Sequence, residues 1–419
     1  MGLVPVAVCR LDRAPVAAVV AHLRFGSRHE PSAVSGATHL FEHLLLRRSL
    51  PSCGLPLPAA VERLGGDVNA ATAREDLFVY ARVPALRFES AFALVAETVV
   101  PGSFPAGLFE AERRIVLEEL HGLRADAEEV AYEELHTSLF DGHGLGAPLA
   151  GTDKALAALD VDELAGFVAS RLHAGTVGFS VAADARADEV VAALERSPAA
   201  ALRAGQWLPE VETRPARAAR PGPSIFHAVS GERVCGQLGT PGVAYGDERR
   251  HAAEILATLV GGTTTSLLFE QIRSALGLTY AVSAWHRSYT DAGLFRIEFV
   301  ARPENVDRTF DAIEETLASK LARGWSAEEV AAGRLHREGT LLLEFETGVN
   351  LAVKTARMTL LARDPRWTPD GELAGIRAVT ADQVNAIARE LLDRPLQRLA
   401  AGAPPPRATT ARTAEARSK

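Results

Sequence analysis

Residues 35–46, Ser-Gly-Ala-Thr-His-Leu-Phe-Glu-His-Leu-Leu-Leu, predict a helix that is apolar on every side but one. At about 100° per residue His39, Glu42 and His43 share a face, while the leucines and Phe41 cover the rest. Such a helix constrains the fold strongly. Its apolar sides require burial, and two imidazoles and a carboxylate cannot be buried with them unless something satisfies them. Two imidazoles one turn apart can grip one metal ion. Zinc would satisfy both, with Glu42 beside it.

A catalytic zinc takes three protein ligands and keeps one position open. A carboxylate on a distant helix is the natural third. The chain predicts a long helical region from about 107 to 140, which carries Glu112 and Glu119 seven residues, or two turns, apart. They lie on one stripe whose middle is Ile115 and Val116. An average glutamate is only a solvated surface residue. A carboxylate at each end of an apolar stripe, however, needs partners.

The rest of the chain reads as an α+β pattern. Residues 14–24 form a buried strand, 57–64 a helix stopped by Gly65-Gly66, 68–72 and 77–83 two strands, and 88–100 a helix. Ser35 or Thr38 is placed to cap the first helix. A helix over 161–172 comes next, capped by Asp160, then a strand over 175–183 and a helix over 187–196. From 208 to 223 prolines and arginines replace any apolar period, which marks a linker. The second half repeats the order: strand 234–245, helices 247–260 and 267–275, strands 279–287 and 293–301, helices 306–323, 327–345 and 381–392. Thr380 caps the last of these helices. Repetition predicts a duplicated α+β domain. The divisions are a first domain over 1–206, a linker over 207–224, a second domain over 225–403 and a disordered tail over 404–419. The second-half helix around His251 lacks His-x-x-Glu-His, so one copy is expected to hold metal and the other not.

Composition excludes several classes. A net charge of −8 without a basic stripe argues against a nucleic-acid binder. No apolar run of about 18 residues predicts a membrane span, and the apolar first ten residues read as a strand rather than a signal peptide. Cys9, Cys53 and Cys235 are odd in number and far apart, which fits reduced thiols in a cytoplasmic chain. His143, His173 and His251 read as structural or surface residues.

His39-Leu-Phe-Glu42-His43, with Glu119 lying 76 residues beyond His43 and seven beyond Glu112, resembles the inverzincin metallopeptidases of the pitrilysin, insulin-degrading enzyme and mitochondrial processing peptidase family. Glu118 also lies beside the site, out of register with the family pattern. Gly65-Gly66-Asp67-Val68-Asn69-Ala70 is similar to the family's substrate-cleft segment, and residues 267–282 look like its Arg/Tyr segment. The resemblance implies two related domains, each a mostly antiparallel sheet with helices packed on it, as in the small bacterial members. It implies one Zn2+ per chain on His39, His43 and Glu119, with Glu42 as general base for a zinc-activated water. Glu112 orients a ligand or the base. Asn69 and Ala70 bind substrate, and Arg273 and Tyr280 help to stabilise the oxyanion. The activity implied is endopeptidase cleavage of short or unfolded peptides. The assembly implied is a homodimer with sites shared across chains, although a heterodimer fits some family members. A dedicated leader-peptide maturation peptidase is an alternative, as is a non-catalytic partner subunit; the second normally lacks ligands or base, and this chain carries them all.

Overall fold

The computed structural model describes residues 4–202 and 225–404. The linker expected over 207–224 therefore lies outside the described residues, and the expected tail lies outside them beyond 404. Ten strands are described: β1 Val6–Arg10, β2 Val16–Leu23, β3 Asp67–Thr72, β4 Leu77–Pro84, β5 Val177–Ala183, β6 Ile225–Ala228, β7 Val234–Gly242, β8 Thr279–Ser288, β9 Gly293–Ala301 and β10 Gln397–Gly402. They form two five-stranded sheets, in the orders β1-β5-β2-β4-β3 and β6-β10-β7-β9-β8. In each sheet the first pair is parallel, β1 with β5 and β6 with β10, and the other pairs are antiparallel. The two halves thus repeat one topology, and the fold is α+β.

The helices of the first half are α1 Ala37–Arg47, α2 Leu57–Glu62, α3 Phe88–Thr98, α4 Ala106–Arg124, α5 Ala127–Leu139, α6 Asp153–Ala158, α7 Val161–Ala169 and α8 Ala187–Arg196. Those of the second are α9 Arg250–Gly261, α10 Val306–Arg323, α11 Ala327–Glu344, α12 Gly348–Ala356, α13 Pro369–Ala378 and α14 Ala381–Leu392. The helix expected over 267–275 is a π-helical turn at Phe269–Ala275. The long region expected over 107–140 is two helices. Asp126 breaks it, accepting hydrogen bonds from the Glu128 and Glu129 N–H groups as the N-cap of α5.

The break lets α4 and α5 serve different cores. Two compact units are present. The first takes the chain up to Leu120, resumes at His143, and adds Leu341–Gly371 from far downstream; the second includes His121–Gly142. In the first unit α12 packs on β2 and β5. This explains why β2, Val-Ala-Ala-Val-Val-Ala-His-Leu, shows no polar alternation. Val19 and Ala21 face one core while Ala18 and Val20 face Val349, Leu351 and Ala352 on the other side. In the second unit α5 packs on β7 and β10, with Leu135 and Leu139 against Gly239, where a Cβ would come within 2.9 Å of Leu135. Among the described residues no helix is long and apolar enough to cross a membrane.

Candidate metal centre

Helix α1 is held from its buried side. Leu40, Phe41, Leu44 and Leu45 have no exposed surface, and each contributes about 1.5–3 kcal/mol by burial. Its start differs from expectation. Neither Ser35 nor Thr38 caps it. Gly36 takes the N-cap position with φ 99°, a conformation that favours glycine. The Glu30 carboxylate then accepts from the Gly36 and Thr38 N–H groups at 2.7 Å each. A carboxylate there also suits the positive end of the helix. Glu30 stands too far upstream for a capping signal to point to it.

With the apolar side fixed, His39, Glu42 and His43 emerge together. Helix α4 brings Glu112 and Glu119 to them, anchored by Phe109, Val116 and Leu120 in the core. Glu119 Oε2 lies 3.7 Å from His39 Nε2 and 3.4 Å from His43 Nε2. Three donors about 2.1 Å from one tetrahedral ion stand about 3.4 Å from each other, so this set fits zinc. Glu112 is buried and its Oε2 lies 3.2 Å from His43 Nδ1. That contact turns Nε2 of His43 towards Glu119, as a carboxylate does for metal-binding histidines. Burial first, and His43 second, push the pKa of His39 down to about 4, leaving a neutral imidazole with a lone pair to donate.

Glu42 sits beside this set, and its Oε2 accepts the Thr72 hydroxyl at 2.5 Å. Burial raises the Glu42 carboxyl above its ordinary value, and the Thr72 donor pulls against that. Asn69 is exposed on β3, an edge strand, and its Oδ1 accepts the Ala70 N–H at 2.9 Å; Ala70 itself faces inward. His143 and His173 are buried and accept local backbone N–H groups, in keeping with structural roles.

In the second unit Arg273 Nε donates to the Tyr280 carbonyl at 2.9 Å, so the structure brings this pair together. The β8–β9 register shifts between Thr279 and Ala281, leaving Tyr280 in a bulge. Bulges re-aim side chains, and the Tyr280 side chain is 70% exposed.

The second unit also shows what became of the repeated motif. Arg113 donates to the Ala157 and Leu159 carbonyls in the first unit, and Arg334 donates to those of Arg377 and Val379 in the second. This match aligns α4 with α11. Gly333 then stands where Glu112 does, and a Cβ there would lie 3.4 Å from Ile255, the counterpart of His43. Thr340, seven residues on, replaces Glu119. The segment His251-Ala-Ala-Glu254-Ile255 keeps His-x-x-Glu and loses the rest. His251, Glu254 and Glu372 converge closely enough to ligate an ion. Arg250 nevertheless lies 2.7 Å from Glu372, and both Arg250 and Arg337 lie 3.2 Å from Glu254. Two guanidinium charges already balance those carboxylates and disfavour a further cation.

Comparison with known proteins matches two family models in succession along the chain. Residues 6–153 match a family described as Insulinase (Peptidase family M16), and residues 158–335 match the Peptidase M16 inactive domain. A Streptomyces coelicolor relative, described as an uncharacterized zinc protease, is 31% identical over 376 residues, which cover 88% of this chain and 81% of the relative. The crystal structure of a peptidase M16 inactive domain from Pseudomonas fluorescens superposes with a TM-score of 0.86 at 18% identity, covering 97% of this chain and 96% of that one. A chain of complex III2 from Candida albicans superposes with a TM-score of 0.80 at 17% identity, covering 95% and 93%.

Proposed function

Since the chain belongs to peptidase family M16, we propose that it is a zinc-dependent endopeptidase that hydrolyses short or unfolded peptides. The observation that carries this reading is the convergence of His39, His43 and Glu119 with Glu42 beside them. Those three residues hold one Zn2+ per chain, and the second unit holds none. A bound zinc ion supplies Lewis-acid chemistry, polarising an oxygen and lowering the pKa of water. Glu42 takes the proton from the attacking water at its carboxylate and returns it to the leaving amine. Glu112 holds the His43 ring in its ligating orientation through Nδ1. The free edge of β3, with Asn69 and Ala70, receives an extended peptide by strand addition, which demands little of its sequence. Arg273 and the exposed Tyr280 hydroxyl donate to the substrate backbone and to the developing oxyanion. We place the chain in the cytoplasm, where Cys9, Cys53 and Cys235 stay as free thiols.

Metal analysis of the purified chain combined with digestion of a mixed peptide library tests this reading. One zinc per chain and cleavage abolished by chelation are expected. A fully loaded chain that leaves the whole library intact would overturn it.

The reading includes a homodimer in which Arg273 and Tyr280 of one chain serve the metal centre of the other. Arg273→Ala is expected to lower turnover about 10²-fold. Mixing it with a chain lacking Glu42 is then expected to recover activity that neither shows alone. No recovery after verified subunit exchange would argue that each chain uses its own Arg273.

A further inference from the structure

We infer that Thr72 is a positioning residue that fixes the Glu42 carboxylate through its hydroxyl, and that the buried charged turn after β3 exists to hold Thr72 in place. The inference rests on the peptidase reading above and adds a residue to it.

The first observation is the residue type. Along β3 the inward row is Val68, Ala70 and Thr72, and it faces the core that α1 and α2 close. Valine has the same shape as threonine and suits such a row better, because a hydroxyl there must find a partner. The partner is Glu42 Oε2 at 2.5 Å, a short bond of the kind made to an ionised carboxylate.

The second observation is the turn that Thr72 leads into. Residues 73–76 are unusual, because Arg74, Glu75 and Asp76 are all at most 3% exposed. Each is tied separately. Arg74 donates to the Leu145 and Ala147 carbonyls. Glu75 pairs with Arg28. Asp76 pairs with His22 and Arg357. Gly26 lies so close beneath that a Cβ would come within 2.1 Å of the Ala73 carbonyl oxygen. Hairpin turns ordinarily sit in water. Here burial of three charges costs free energy that is offset only by their partners, and it leaves the end of β3 no freedom to shift. A carboxylate on a flexible three-bond stem gains its orientation from that fixed hydroxyl.

The test compares Thr72→Val and Thr72→Ser in the metal-loaded chain. Val is expected to lower kcat about 10- to 100-fold with KM within twofold, and Ser to return kcat to within about threefold of the native chain. Zinc content is unchanged in both. A Val variant at native kcat, or a Ser variant as slow as Val, overturns the inference. A measurement independent of turnover is the thermal shift of metal-free protein. Thr72→Val is expected to lower Tm by about 3 °C when Glu42 is present and by much less in Glu42→Ala. Equal shifts in the two backgrounds overturn the contact itself. A native chain that binds zinc and cleaves nothing defeats the peptidase reading, and the thermal comparison still decides the contact.

Discussion

Glu42→Gln is expected to bind zinc as the native chain does and to lose about 10³-fold in peptide turnover, within the span general acid–base catalysis commands. The substitution separates two roles that one carboxylate could have. His39, His43 and Glu119 converge without Glu42, so metal content should stay at one ion per chain. Glutamine has the size of glutamate, and its amide oxygen can still accept the Thr72 hydroxyl. Orientation is therefore preserved while the capacity to take a proton is lost. Metal analysis and steady-state kinetics on one preparation read both quantities. Turnover at the native rate in the loaded variant would remove Glu42 from the role of base. Glu119→Gln should behave in the opposite order, losing metal first, because its oxygen is the one facing both Nε2 atoms.

The features legible in the sequence are those that depend on near neighbours. Helix α1 is dictated by the spacing of its leucines around His39 and His43. The last helix, α14, starts at the Thr380 cap where expected, with its side chain accepting the Gln383 N–H. Asp160 likewise caps α7. Helix α10 covers the expected 306–323. Short strands with distant partners give no such signal: β6 has four residues and β10 six, and they pair across most of the second half. Helix α12 is hidden for a related reason, since its apolar face is completed by β2 and β5, both in the first half of the chain. At the site, Glu119 could be placed because two turns and a known spacing connect it to Glu112 and His43. The Thr72 contact had no such guide. Nothing in the spacing of residues 42 and 72 says that a strand end will meet a helix face. The bulge that turns Tyr280 outward, and the Arg250 and Arg337 charges beside Glu254, also arise only when distant segments meet.

The largest stability effect is expected at Asp76, which lies outside the metal centre. Its carboxylate is 2% exposed and meets His22 Nε2 at 3.0 Å and Arg357 Nε at 2.8 Å. Asp76→Asn should cost about 3 kcal/mol in chemical denaturation, because it removes the charge of a buried carboxylate that meets both His22 and Arg357. The Arg82–Asp67 pair has a shorter contact, 2.5 Å, but its side chains are about half exposed; breaking it should cost about 0.2–1 kcal/mol. Burial, not distance, decides between them. Burial alone would raise the Asp76 carboxyl; Arg357 and His22 outweigh it and hold that carboxyl well below the usual carboxylate range. Its stabilising contribution is therefore complete above the unfolded value of about 3.9 and is lost as pH falls below that. The Asn variant should show a flatter acid limb than the native chain. Arg357 lies at the end of α12, the helix this unit takes from far downstream, so the variant should also speed hydrogen exchange across 348–361. Joint replacement of Asp76 by Asn and Arg357 by Met should recover part of the loss, since both charges of the pair are then removed together. A single Asn variant as stable as the native chain, with an unchanged acid limb, would show that the buried triad does not hold this segment in place.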